Sequence, residues 1–78
     1  NLIMWLLTIN CSAESWETHS KAFKAIAAKY ATTPSSSKKM KGDGQRIMEY
    51  QLENVNDVEE FMEECLTLDG FTATFESL

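Results

Sequence analysis

Residues 2–11, Leu-Ile-Met-Trp-Leu-Leu-Thr-Ile-Asn-Cys, are an almost unbroken apolar run, and the rest of the chain has to be arranged so as to hide it. The run is far shorter than the roughly 20 residues that cross a bilayer as a helix. The residues beside it form no basic n-region, and the run is expected to be a strand rather than a secretory leader. Its β-forming residues end at the turn and cap formers Asn10 and Ser12. This pattern predicts a central strand buried on at least one face.

Two stretches then follow the 3.6-residue period of an amphipathic helix. From 13 to 31, Trp16, Phe23, Ile26, Ala27 and Tyr30 share one side, while Glu14, Glu17, Lys21, Lys24 and Lys29 fall on the other. Ser12 or Ser15 is the expected N-cap, and the order of charges, acids first and lysine last, suits the helix dipole. From 57 to 68, Val58, Phe61, Met62, Cys65, Leu66 and Leu68 form a second stripe, with Asn56 as cap, Glu59 completing a capping box and Gly70 as the stop. Residues 45–53 and 71–78 instead alternate with period two: Met48, Tyr50 and Leu52 against Glu49, Gln51 and Glu53, then Phe71, Ala73 and Phe75 against Thr72, Thr74 and Glu76. Both predict half-buried strands. Pro34 and the Gly42-Asp43-Gly44 turn bracket residues 35–41, a short polar edge strand or else a loop.

The order β-α-(β)-β-α-β resembles the ferredoxin-like α/β plait, including the small dimeric α+β-barrel proteins built on it. The resemblance covers the whole chain and rests on element order. It implies a single α+β domain over residues 1–78, an antiparallel sheet with both helices on one face. Right-handed crossovers then give the strand order 4-1-3-2, with the first strand in the middle. The superfold hosts many unrelated activities, so it implies no reaction, no cofactor and no catalytic residue.

Charge narrows the partners. The net charge is −5, which argues against a sequence-independent nucleic-acid binder, since phosphate binding runs on Lys and Arg. All seven Lys/Arg lie in residues 1–46, and residues 47–78 carry acids and no base. Cys11 and Cys65 form no CxxC and no zinc-finger spacing, so reduced thiols in a cytoplasmic protein, with no metal and no membrane, are the expectation.

Three regions could carry function. In the plait, the end of the first strand, the start of the first helix and the end of the second meet at one end of the sheet, which would bring Cys11, Trp16, His19 and Cys65 together. Cys11 beside a helix N-terminus could have a lowered pKa, with His19 as base or ligand; the simpler reading makes both cysteines small core residues. Serine hydrolysis is disfavoured, because His19 is the sole histidine and no GxSxG is present. Lys38, Lys39, Lys41 and Arg46 flank the Gly-Asp-Gly turn and could hold a phosphate, although edge-strand lysines also block sheet-to-sheet aggregation. The acidic face of Glu60, Glu63 and Glu64 has no EF-hand pattern and reads as solvated.

The third region is the sheet face away from the helices. With Ile3, Trp5, Leu7, Ile9 and Cys11 turned to the helices, Leu2, Met4 and Leu6 turn away, joined by Ile47 and Leu78 beside Thr8, Glu49, Gln51, Thr72 and Thr74. A contiguous apolar patch marks an interface. The leading expectation is therefore a homodimeric binding or regulatory module without catalysis, associating through this face. The alternatives are a small-molecule enzyme or carrier with a pocket near Cys11, Trp16 and His19, and a phosphate or nucleotide binder at residues 38–46.

Overall fold

The structure is a computed structural model that describes residues 3–30 and 34–78. Its elements run β1 (Trp5–Cys11), α1 (Ala13–Ala27), β2 (Ser36–Lys39), β3 (Arg46–Leu52), α2 (Val55–Leu66) and β4 (Phe71–Ser77). All strand pairs are antiparallel, in the order β2-β3-β1-β4. The apolar run thus lies in the middle of the sheet, hydrogen-bonded to a strand on either side. Residues 36–39 do pair as a strand, and the loop behind them closes through Met40 N–H to Gln45 C=O (2.7 Å) and Gly44 N–H to Met40 C=O (3.1 Å).

Side-chain parity follows the expected pattern. Leu7, Ile9 and Cys11 of β1, with Met48, Tyr50 and Leu52 of β3, are buried against Phe23 and Ala27 of α1 and Val58, Phe61 and Cys65 of α2. Ile3 is the exception. It precedes the strand and is exposed. The centre of the core is aromatic: the Phe23 ring lies 5.8 Å from Trp16, 6.3 Å from Tyr50, 6.3 Å from Phe61 and 5.7 Å from Phe71, centroid to centroid.

The helix ends depart from expectation for local reasons. Ser12 caps α1, its side chain accepting from Ser15 N–H at 3.0 Å, and the helix stops at Ala27 instead of 31. Tyr30 therefore sits in the following turn, where its ring still stacks on Phe61 (5.2 Å). α2 starts earlier than expected: Asn54, not Asn56, is its cap, accepting from Asn56 N–H at 2.8 Å and Asp57 N–H at 3.4 Å. Val55 then falls inside the first turn, and the expected Asn56–Glu59 capping box does not form. Asn54→Ala should cost about 1 kcal/mol in urea unfolding, and Asn56→Ala less than about 0.5 kcal/mol. α2 also ends at Leu66, which is exposed, and Gly70 serves the turn into β4 rather than the helix end.

Candidate functional site

The expected thiol cluster is only partly assembled. Cys11 pairs across the sheet with Arg46 on one side and Phe71 on the other, at the same end where Gly70 abuts Ser12 and Ser15. Trp16 and His19 lean apart from there: the Arg46 guanidinium lies over Trp16 at 4.6 Å, while His19 meets Phe71 edge-on at 6.3 Å. Cys11 and Cys65 are both free and fully buried. Burial pushes the Cys11 thiol up, with Arg46 opposing the rise, and pushes the Cys65 thiol up to about 12, helped by the charge of Glu64. The lowered pKa expected for Cys11 beside a helix N-terminus is therefore not found: desolvation outweighs the local positive field. Among the described residues, no three His, Cys, Asp or Glu side chains come together as a metal site.

Raised thiol pKa values have a measurable sign. A neutral thiol favoured by folding contributes its full stability below about pH 9, and that contribution is lost as pH rises through the folded value. Both cysteines should resist an aromatic disulfide reagent at pH 8 in native buffer and react fully in denaturant; rapid native labelling of either would contradict the packing.

The basic hairpin is divided by the sheet. β2 pairs Lys39 with Arg46 and Lys38 with Ile47, so Lys39 and Arg46 are on the helix side and Lys38 is on the open side. Lys41 is exposed in the connecting turn. The four cations expected to act as one anion site therefore serve two surfaces.

On the helix side they border a cleft that the sequence reading did not locate. β2 contributes Ser37 and Lys39 to that face, and the end of α1 brings the small Ala27 and Ala28 to the same space as Met48 and Tyr50, beside Pro34. The result is an apolar cavity of about 280 Å³, bordered by Trp16, Phe23 and Lys24. A second, more polar hollow of about 400 Å³ also borders Trp16, with Glu17, Ser20, Lys39, Gly44 and Arg46 around it. Gly44, at φ +70°, lets the turn pack closely on the start of α1, because a Cβ there would stand 3.0 Å from the Ala13 Cβ.

A polar cluster ties the turn after α1 to α2. Glu64 accepts from both the Lys29 ammonium and the Tyr30 hydroxyl. Those bonds, Lys29 first, hold the Glu64 carboxyl below its usual range, and the bond to Glu64 together with burial pushes the Tyr30 hydroxyl up to about 12.

The open face is more polar than parity alone suggested. Register aligns Ser36, Glu49, Thr8 and Thr74 in one row and Lys38, Ile47, Asn10 and Thr72 in the next, with Gln51, Leu6 and Glu76 in the row on the other side. Ile47 and Leu6 are thus separated by the Thr8–Glu49 row. The expected contiguous apolar patch is instead an apolar margin at Met4, Leu6 and Leu78, where Leu78 N–H donates to Met4 C=O at 2.8 Å, and an isolated Ile47. Leu2 lies outside the described residues.

No protein-family model matches the chain, and no curated protein matches it in sequence. Among solved structures, the crystal structure of MtbAldR superposes with a TM-score of 0.53 at 17% identity, over 97% of this chain and 50% of that one. The chain therefore spans half the length of that protein, and the likeness is one of fold. No helix among the described residues is long and apolar enough to cross a membrane. Element order, sheet order and this superposition together identify the fold as a ferredoxin-like α+β plait.

Proposed function

We propose that the chain is a non-catalytic binding module that works as a homodimer, with a second copy packed on the open face of the sheet. The observation that carries this reading is the arrangement of that face. Both helices lie on the opposite side, and Lys38 on β2 and Glu76 on β4 stand at diagonally opposite corners. A two-fold axis along the other diagonal sets each Lys38 against the partner copy's Glu76, with strands crossing near a right angle, a packing that sheets commonly adopt. Four strands at about 4.8 Å spacing and about 3.3 Å rise per residue give a face of roughly 19 by 23 Å, so two copies cover about 900 Å². This falls just short of the roughly 1,000 Å² expected of a stable interface, so the proposed dimer is a weak, reversible one. Two free, buried cysteines suit a reducing, cytoplasmic setting.

Sedimentation velocity across roughly 1–500 μM tests the reading. Monomer at low and dimer at high concentration is expected, with Lys38→Glu and Glu76→Lys each weakening the dimer and the double reversal restoring part of it. A monomer at every concentration sinks the proposal.

A further inference from the structure

We infer that the cleft between α1 and the β2–β3 edge binds a small aromatic carboxylate, its ring on Trp16, Met48 and Tyr50 and its anionic group at Arg46 and Lys39. The cleft is on the helix side of the sheet, away from the open face, so this site stands whether or not the chain dimerises.

Three observations converge on that occupant. The first is size: the apolar part, about 280 Å³, lies just below the roughly 300–1,000 Å³ range of small-molecule sites and suits a single ring. The second is the lining. Trp16, Phe23 and Tyr50 are aromatic, and Trp16 borders both the apolar cavity and the polar hollow.

The third is charge. Lys24, Lys39 and Arg46 border the cleft against the single carboxylate of Glu17, a local excess of two positive charges in a chain of net charge −5. Among the described residues none of these three cations forms a salt bridge; the carboxylate of Glu64 pairs with Lys29 elsewhere. Lys24 and Arg46 rest instead on the Trp16 ring, at 5.8 and 4.6 Å from its centroid. Such exposed contacts are weak enough for a carboxylate to recruit the guanidinium fork. This net excess, already reduced by Glu17, favours an anion over a neutral or cationic ligand. Cation and ring placed together also explain why Arg46, facing Lys39 across the hairpin, tolerates a cationic neighbour without a counter-ion of its own.

Fluorescence of Trp16, isolated in a Trp5→Phe background, reads binding of phenylacetate directly, with phenylacetamide as the neutral isostere. Expected is a saturable change below about 10 mM phenylacetate, at least tenfold weaker for phenylacetamide. Arg46→Gln should weaken phenylacetate binding by roughly tenfold or more while leaving phenylacetamide unchanged. If Arg46→Gln is unfolded by circular dichroism, Lys39→Gln takes its place with the same expected direction. A response that stays linear overturns the inference, as do equal affinities for acid and amide or a charge variant that binds phenylacetate like the parent. Measurement at a protein concentration where sedimentation finds monomer separates failure of the cleft from failure of the dimer.

Discussion

Replacing Phe23 with alanine should bring the protein close to its unfolding limit. The ring is almost fully buried and lies within contact range of Trp16, Tyr50, Phe61 and Phe71, so it joins α1 to β3, α2 and β4 at once. Truncating such a residue removes its transfer free energy and leaves a cavity that rigid aromatic neighbours cannot collapse into, a cost of about 3–5 kcal/mol. A domain of this length is stabilised in total by roughly 4–12 kcal/mol, so the loss takes most or all of the margin. Ile3→Ala, at a site 61% exposed, is the matched control and should stay within about 0.5 kcal/mol. Urea unfolding followed by far-ultraviolet circular dichroism measures both. A loss below about 1.5 kcal/mol for Phe23→Ala would mean that the aromatic cluster is not the keystone of the core.

Which parts of this structure were legible beforehand follows from the range of the signal. Strand parity is a period-two property of one segment, so the burial of Leu7, Ile9 and Cys11 and of Met48, Tyr50 and Leu52 could be read directly. Strand order followed from chain topology, which has few alternatives once the element order is fixed. Cap choice was harder, because Asn54 and Asn56 are both good caps two residues apart. The structure resolves it by placing Val55 and Val58 in the first turn, with Val58 buried in the core. Tyr30 kept its stripe position although the helix ended at Ala27, because the turn after the helix still carries its ring onto Phe61.

Register, unlike parity, belongs to two segments at once, and the misjudged surfaces all depend on it. Met4, Leu6 and Ile47 share the open face, yet only the pairing of Leu6 with Gln51 and of Asn10 with Ile47 reveals that a polar row divides them. Lys38 and Lys39 are adjacent in sequence and serve opposite faces, once the hairpin sets Lys39 against Arg46. The cleft carries no motif, because it arises from what is small: Ser37 on the edge strand and Ala27 and Ala28 on the helix. Its only sequence signal was Trp16 on the α1 stripe with Arg46 past the Gly-Asp-Gly turn. Topology correctly brought the start of α1 to the turn after α2, as the contact of Gly70 with Ser12 and Ser15 shows, but it could not say that Trp16 would turn to Arg46 and His19 to Phe71.

That junction gives the second large effect expected, from a single methyl group. Phe71 N–H bonds to Leu68 C=O at 3.1 Å, closing a turn in which Gly70 adopts φ +81°. An alanine there meets two costs. The left-handed backbone is unfavourable for a Cβ-bearing residue by about 1–2 kcal/mol. The new Cβ would also stand 1.9 Å from the Ser15 Oγ and 3.0 Å from the Ser15 Cβ. Ser15 has little freedom to retreat, because its hydroxyl accepts from the Ser12 hydroxyl and its N–H donates to the same Ser12 oxygen that caps α1, both at 3.0 Å. Displacing it loosens the cap, worth about another 1 kcal/mol. Gly70→Ala should therefore cost roughly 2–4 kcal/mol in urea unfolding. Gly42→Ala isolates the backbone share: its φ is +93° and a Cβ there meets nothing within 4 Å, so about 1–2 kcal/mol is expected. In a Ser15→Gly background the Gly70→Ala penalty should fall toward the Gly42 value, because the clash is gone and only the strained φ remains. Equal penalties at Gly42 and Gly70 in the parent chain would show that the α2–β4 turn does not press on the α1 N-terminus, and that Trp16, one turn further along α1, is not held in place from that side.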